Sequence, residues 1–396
     1  MRIAIVNAFR TPIGKFGGAF KDTPPDKMVA IVMKNNLSAA GLDGSQIDEV
    51  IVGQTKQSAD YPNIARVALL KASMSESTSA HTVNMQCGSG MQAIINGCNS
   101  ILTGNSEVVL AGGVESMSQA PYYFSGNRFG IKPGAIELKD SNTESQIKSQ
   151  PEEIYGIFNM GMTAENLSEQ FNISREEQDE FALLSQQRAK NAIEENLFEE
   201  EIVPINIRVN KKTNIYFNQD EFPRETTMEQ LTALPPVFKE GGTVTAGNTT
   251  GRNDGAAMVL LMSEDKAIEL NLKPLGYIKS YASVGVHPSV MGIGPVDATR
   301  KALEKCDLTI EEIDLFEINE AFAAQTLAVI KELNLNVKKV NINGGAIALG
   351  HPLGSSGARI LTTLVYEMKR KSLKYGVATL CVAGGQGIAM VVERDA

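Results

Sequence analysis

The chain has 396 residues, 43% of them hydrophobic and 21% charged, which is ample for two or three domains and unlike a disordered tail. Lys and Arg total 37 against 46 Asp and Glu, a formal net charge of -9 with no basic cluster, which argues against a backbone-tracking nucleic-acid surface. No apolar run approaches the roughly 20 residues that span a bilayer, and the opening MRIAIVNAFR enters a strand-like pattern without a leader. We therefore expect no membrane segment, no nucleic-acid partner and a cytoplasmic location.

In chain order, Ile3 to Val6 predicts a first strand, and the segment from about Asp26 to Ala40 predicts a helix closed by Gly41. EVIVG at 49 to 53, TVNM at 82 to 85 and EVVLAGG at 107 to 113 predict further strands, with a helix after the second. Short β-branched runs alternating with helical periods predict an α/β chain with a buried, largely parallel sheet. The last third repeats the pattern. LDGSQIDEVIVGQ at 42 to 54 matches LTIEEIDLFEINEA at 308 to 321, HTVN at 81 to 84 matches KVNIN at 339 to 343, and NSEVVLAGG at 105 to 113 matches YGVATLCVAGG at 375 to 385. Two related halves are expected.

Between them, residues 120 to 160 lose periodicity and gather Pro and Gly, as a functional loop region does. Ser174 with Glu177 forms a capping box opening a long amphipathic helix, and GAAMVLLM at 255 to 262 resumes the first half. The expected domains are 1–119 with 240–272, an inserted loop domain 120–239, and 273–396.

Four cysteines, Cys87, Cys98, Cys306 and Cys381, and three histidines, with no C-x-x-C, give no zinc pattern. On one helix Cys87 and Cys98 would lie ~16 Å apart, so free thiols are expected. In HTVNMQCGSGMQAIINGCNSI a strand ends, Cys87 appears, two glycines follow and a helix begins, so the thiol meets a helix N-terminus that favours thiolate. Taken alone, the stretch is better read as a small buried cysteine at a tight strand-to-helix turn. Gly88 to Ala93 also fits the G-x-G-x-x-A dinucleotide pattern, with Glu115 as a ribose ligand, although in the third strand-helix unit rather than the first.

VNINGGAIALGHPLGSSGARI places His351 between Gly350 and Pro352 ahead of a helix, where a neutral imidazole can serve as base toward a thiol. His81 and His287 fit ordinary core histidines. In ATLCVAGGQGIAMVV, Cys381 ends a strand at a glycine-rich turn. In FEINEAFAAQ, Asn319 and Glu320 follow a strand and begin a helix, which capping alone would explain.

Together these stretches resemble the thiolase family over essentially the whole chain, acetyl-CoA acetyltransferases above all. The matching signatures are RTPIGKFGG, NMQCGSGMQA, AGGVESMS, GMTAEN, GTVTAGNTTGRNDGAA, FEINEAFAAQ, GGAIALGHPLGSSGAR and CVAGGQG, in one order. The resemblance implies a thiolase fold: two similar βαβαβαββ halves in a five-layered arrangement with an inserted loop domain. It implies acetyl-CoA C-acetyltransferase activity, with Cys87 as the acylated nucleophile, His351 as the base for its thiol and Cys381 as the base for the second acetyl-CoA. One oxyanion hole is implied for His351 with a water held by Asn319, and another for the backbone N–H groups of Cys87 and Ala383.

By the same resemblance Arg224 meets the nucleotide end of CoA, and Thr250, Met160, Met291 and Phe322 line the pantetheine and acyl pocket. Substrates are then acetyl-CoA, acetoacetyl-CoA and CoA, with no bound cofactor and no metal. A homotetramer built from dimers is implied, with residues 120 to 160 at the inter-dimer contact. Asn159 stands where the family has histidine, and extra room for the acyl group is expected there. The alternatives are a degradative 3-ketoacyl-CoA thiolase with broader chain length, a non-catalytic thiolase-fold CoA-binding subunit, and a nicotinamide-dependent dehydrogenase. Retention of Cys87, Asn319, His351 and Cys381 together argues against a subunit that has lost catalysis.

Overall fold

The computed structural model describes residues 1–131, 133–208 and 213–395, so residues 132 and 209–212 of the expected loop domain, and residue 396, lie outside the described set. The first series of elements is β1 (Ile3–Arg10), α1 (Pro25–Ala40), β2 (Glu49–Gly53), α2 (Ile64–Lys71), β3 (Ser79–Val83), α3 (Ser89–Leu102) and β4 (Val108–Ser116). A long connection holding α4 (Met160–Gln170) and α5 (Arg175–Glu194) leads to β5 (Asn253–Ser263). The second series is β6 (Gly276–Gly285), α6 (Gly294–Glu304), β7 (Leu315–Ile318), α7 (Ala323–Glu332), α8 (Leu353–Lys371), β8 (Tyr375–Val382) and β9 (Gln386–Glu393). Gly41 closes α1 in the left-handed conformation, and the Ser174–Glu177 capping box opens α5, both as the sequence predicts.

The strand pairing repeats. β2 pairs parallel with β3 and β4, β5 runs antiparallel to β4, and β1 antiparallel to β5. In the second half β7 pairs parallel with β8, β9 runs antiparallel to β8, and β6 antiparallel to β9. β1 and β6 then meet antiparallel, Ile3 opposite Ile278, so the halves are related by an approximate two-fold axis between those strands. The repeat is incomplete at one place. KVNIN supplies only a single bridge, Val340 to Phe316, because Asn341 is left-handed (φ 45°) and its side chain takes over the ladder. Its amide donates to Ile318 O at 2.8 Å and accepts from Ile318 N at 2.8 Å.

Strand side chains alternate between two cores, which explains the nearly continuous hydrophobic runs. From β4, Val109 and Ala111 face α3 and α8, while Val108 and Leu110 face α1 and α2. From β8, Leu380 and Val382 face α3 and α8, while Val377 faces α6 and α7. The result is five layers with α3 and α8 in the middle. These two helices approach closely because Gly357 lies against Met91, where a Cβ would meet the Met91 backbone nitrogen at 2.5 Å. Among the described residues no helix is long and apolar enough to cross a membrane.

Candidate active site

The thiol of Cys87 is presented by a strained junction between β3 and α3. Gln86 adopts φ 46°, a conformation costly for a residue with a side chain. Local hydrogen bonds hold it there: Gln86 N donates to Asn84 Oδ1 at 3.0 Å, and the Ser89 hydroxyl donates to Gln86 O at 2.6 Å while accepting from Met85 N. Cys87 therefore precedes the helix N-terminus and stays partly open, whereas Cys98 is buried within α3. All four cysteines are free. Burial pushes the Cys87 thiol up; the Ala383 N–H, the Lys56 ammonium and the cysteine's own N–H act in the opposite direction.

The dinucleotide reading of Gly88 to Ala93 finds no support in this junction. Gly90 is needed for close packing, since a Cβ there would meet the Gly354 carbonyl at 2.7 Å. Glu115 is engaged by backbone, accepting from Thr55 N, Lys56 N and Gly354 N at 3.0 to 3.1 Å. A buried carboxylate so occupied has no role left on a ribose.

His351 lies directly before α8, at the junction equivalent to that of Cys87. Its Nδ1 is 2.6 Å from the Ser356 hydroxyl, which donates its own proton to Pro352 O at 2.9 Å. Ser356 must then accept, so Nδ1 carries the proton and Nε2 presents a lone pair. The amide of Asn319 donates to that Nε2 at 3.4 Å. Burial, reinforced by Arg359, pushes the imidazole down to about 3, so it is neutral and basic in form at neutral pH. Asn319 is fully buried at the end of β7, and its N–H donates to Thr379 O at 3.0 Å. It does not begin a helix: α7 starts at Ala323 with Phe322 as its N-cap residue.

Cys381 is buried near the end of β8, and burial followed by the neighbouring Cys87 pushes its thiol well up. The turn into β9 is left-handed at Gly384 and Gly385, both at φ 88°, and Ala383 is not among the left-handed residues. An alanine is thus accommodated at 383, with its N–H bearing on Cys87.

One cleft, with room for about 250 Å³, brings together Cys87, His351, Cys381, Ala383, Met160, Thr250, Met291 and Phe322 from the residues singled out in the sequence. Asn319 stands behind His351. Arg224 lies elsewhere, in a groove with Gln186 and Lys190, donating to Ala246 O at 2.9 Å. Sequence reasoning missed other parts of the wall, among them Gln86, Asn142, Ser145, Gln146, Phe238 and Arg252. Asn142, Ser145 and Gln146 share one short helix, Ser141–Ile147, too brief to leave a periodic signal. Phe238 makes an edge-to-face contact with Phe322 at 6.2 Å. Asn159 caps α4, its Oδ1 accepting from Met162 N at 3.0 Å, and is not itself among the residues lining the cleft. His81 and His287, expected in the core, are exposed; His81 Nδ1 is 3.2 Å from Glu49 and His287 Nδ1 is 2.8 Å from the Ser289 hydroxyl. Among the described residues no cluster of His, Cys, Asp or Glu is placed to hold a metal ion.

The thiolase N-terminal domain model matches residues 3–265, and the thiolase C-terminal domain model matches residues 272–394. A probable acetyl-CoA acyltransferase of Staphylococcus aureus (strain COL) is 48% identical over 394 residues, covering 99% of each chain. The crystal structure of the Bacillus anthracis acetyl-CoA acetyltransferase is similar with a TM-score of 0.96 at 47% identity, covering 99% of this chain and 98% of that one. Human mitochondrial 3-ketoacyl-CoA thiolase is similar with a TM-score of 0.95 at 46% identity, covering 100% and 99%. Its complex with CoA gives a TM-score of 0.94, also at 46% identity, covering 100% and 98%. With both domain models matched and relatives aligned end to end, the chain belongs to the thiolase family and is an acyltransferase.

Proposed function

We propose that the chain is an acetyl-CoA C-acetyltransferase, condensing two molecules of acetyl-CoA to acetoacetyl-CoA and CoA through an acetyl-cysteine. The observation that carries this reading is a neutral imidazole, with its Nε2 lone pair free of a proton, in the same cleft as two thiols. His351 takes the Cys87 proton as the sulfur attacks the thioester carbonyl; CoA thiolate leaves and accepts that proton. The Cys87 and Ala383 N–H groups stabilise the oxyanion. In the second half, His351 takes the Cys381 proton, so that its Nε2–H, with a water held by Asn319, can donate to the enolate oxygen formed as the Cys381 thiolate removes a methyl proton from the next acetyl-CoA. The enolate carbon attacks the acetyl group, Cys87 thiolate departs and takes the proton from His351, and Cys381 keeps the methyl proton as a thiol.

The electrostatics support this order. Charge on Cys87 disfavours charge on Cys381, so acetylation of Cys87 removes one obstacle to ionising the second thiol. A buried thiolate with a raised pKa is also a stronger base toward a C–H bond. Met160, Met291, Phe322 and Thr250 are assigned to the pantetheine and acyl group, and Arg224 to the nucleotide end. We divide the chain into 1–119 with 240–272, a loop domain 120–239, and 273–396. The exposed Tyr122, Phe124, Phe129, Leu138 and Ile154 support a homotetramer assembled through the loop domain, and two working thiols suit a reducing cytoplasm.

A degradative 3-ketoacyl-CoA thiolase is the second reading, favoured by the nearly equal likeness to the human mitochondrial enzyme. Steady-state kinetics in both directions separate the two. Preference for acetoacetyl-CoA supports the first, whereas higher kcat/KM on 3-ketohexadecanoyl-CoA overturns it in favour of the second.

A further inference from the structure

Lys56 was given no role by the sequence, yet it is a buried lysine beside the candidate nucleophile. Only 6% of it is exposed. Lysines are almost never buried to this degree unless a partner compensates the lost hydration. Among the described residues its Nζ has one hydrogen-bond partner, the hydroxyl of Ser145, which lines the active-site cleft together with Gln86 and Cys87.

The backbone of Lys56 is fixed to both catalytic junctions. Its N–H donates to Glu115 Oε1 at 3.0 Å, and the other oxygen of that carboxylate accepts from Gly354 N at 3.0 Å, three residues beyond His351. Two residues earlier, Gln54 N donates to Val83 O at 3.0 Å, at the end of the strand that leads to Cys87. One carboxylate and one turn thus hold the lysine between the Cys87 and His351 junctions. The charged or titratable groups facing Lys56 are Glu115, Cys87, Asp140 and Arg252. Those facing Cys87 are Lys56, Glu115 and Cys381, with a neutral His351 in the same cleft.

We propose that Lys56 is a positioning residue for the reaction: its buried ammonium, held by the Ser145 hydroxyl on a backbone fixed by the Glu115 clamp, supports negative charge on Cys87 before the sulfur attacks and after it departs. The interaction is strengthened by burial and adds a full charge to the N–H dipoles of Ala383 and Cys87, which bear on the same sulfur. Arg252, although cationic and part of the wall, does not substitute for it. Its guanidinium is directed to Asp140 at 3.7 Å and to Thr143.

This inference rests on Cys87 being the nucleophile, and its test reads that assignment separately. The full chain and its Lys56→Met, Lys56→Gln and Lys56→Arg variants are treated with iodoacetamide over a range of pH, with the rate at Cys87 followed by peptide mass mapping. The Met and Gln variants should raise the midpoint of alkylation by about one unit, slowing the reaction about tenfold below it, and Arg should restore most of the loss. Gln preserves a hydrogen bond to Ser145, so it isolates charge if Met disturbs folding. A Gln variant with the wild-type pH curve overturns the proposal, since packing or hydrogen bonding would then account for Lys56. Wild-type label falling on Cys381 in place of Cys87 overturns the nucleophile reading itself.

Discussion

The two halves share a strand order but connect its last two strands differently. In the first half β4 reaches β5 only after residues 117–252; in the second, β8 turns into β9 through Ala383–Gly385. The long connection carries Met160, Phe238 and Thr250 over the cleft, and the tight turn holds Cys381 and the Ala383 N–H beside Cys87. The central helices offer the complementary comparison: α3 is preceded by a thiol and α8 by an imidazole, at matching places in the repeat. A duplicated scaffold has divided nucleophile, base and cover among equivalent positions, so each role can be removed separately.

The largest effect is expected at the first junction. Cys87→Ala should lower acyl transfer by more than roughly a thousandfold, because no other thiol sits open at a helix N-terminus. Brief incubation of the wild type with acetyl-CoA, followed by acid quench and peptide mapping, should place acetyl on Cys87 and leave Cys98 unlabelled. Acetyl on Cys381 alone would reverse the roles of the two halves.

Cys381→Ser sharpens the division between them. An alcohol is a far weaker base, so condensation should fall by about a hundredfold or more. Acetyl exchange between CoA species needs only Cys87 and His351 and should survive much better. Equal loss of both reactions would show that the second thiol also serves acylation.

Much of this division was legible in the sequence, and the exceptions have physical causes. Strand periodicity and the repeat foresaw two related α/β halves, because buried strands read as unbroken apolar runs. The expected largely parallel sheet, however, is parallel only where β2 meets β3 and β4 and where β7 meets β8. β1, β5, β6 and β9 pair antiparallel, since a strand buried on both faces reads the same in either direction. KVNIN looked like a strand by composition, but the Asn341 side chain replaced the ladder. Cys87, His351 and Cys381 stood out since each adjoins glycines at an element boundary. Lys56 and Gln146 did not, because what makes them neighbours of Cys87 is a tertiary contact between a loop and a short helix. Asn159 was recognisable as a departure, but its hydrogen bond to Met162 N required coordinates.

The turn that aims Ala383 can be broken on its own. Gly385→Ala forces a side chain to φ 88° and sets its Cβ 2.3 Å from Val286 O, so the backbone must move. We expect kcat to fall about tenfold as the oxyanion donor shifts, with a stability loss of about 1 to 3 kcal/mol. Gly104→Ala is the control, at φ 74° with nothing within 4 Å. It should cost stability without lowering kcat. Equal loss of kcat in both variants would mean that strain, not donor placement, is being measured.

The junction before α8 carries a pH signature. His351 is pushed down to about 3 in the folded chain, whereas the unfolded chain protonates it near the ordinary value of about 6.5. Protons bind the unfolded state preferentially between those values, so this stability is present above about 6.5 and is lost as pH falls toward about 3. By pH 5.5 the loss is about 1 kcal/mol. His351→Gln lacks this proton uptake, and its Tm should decline less than that of the wild type between neutral pH and pH 5.5. Parallel declines would place the acid sensitivity elsewhere.

The smallest effect is expected where the long connection meets the cleft, at Asn159. An asparagine there suggested room for a longer acyl chain, and replacement by histidine would then narrow the substrate range. The carboxamide is instead committed to the N-terminus of α4, accepting from Met162 N at 3.0 Å, and it is Met160 that lines the cleft. Asn159→His exchanges a favoured N-cap for a poor one at a cost of about 1 kcal/mol or less. The loss should loosen the first turn of α4, raising KM for every substrate alike while leaving their order intact. Measuring kcat/KM for four-, five- and six-carbon 3-ketoacyl-CoA substrates in both proteins checks this, with ratios expected to agree within about twofold. A selective loss of the six-carbon substrate would show that residue 159 bounds the acyl pocket directly, and that the long connection sets specificity as well as cover.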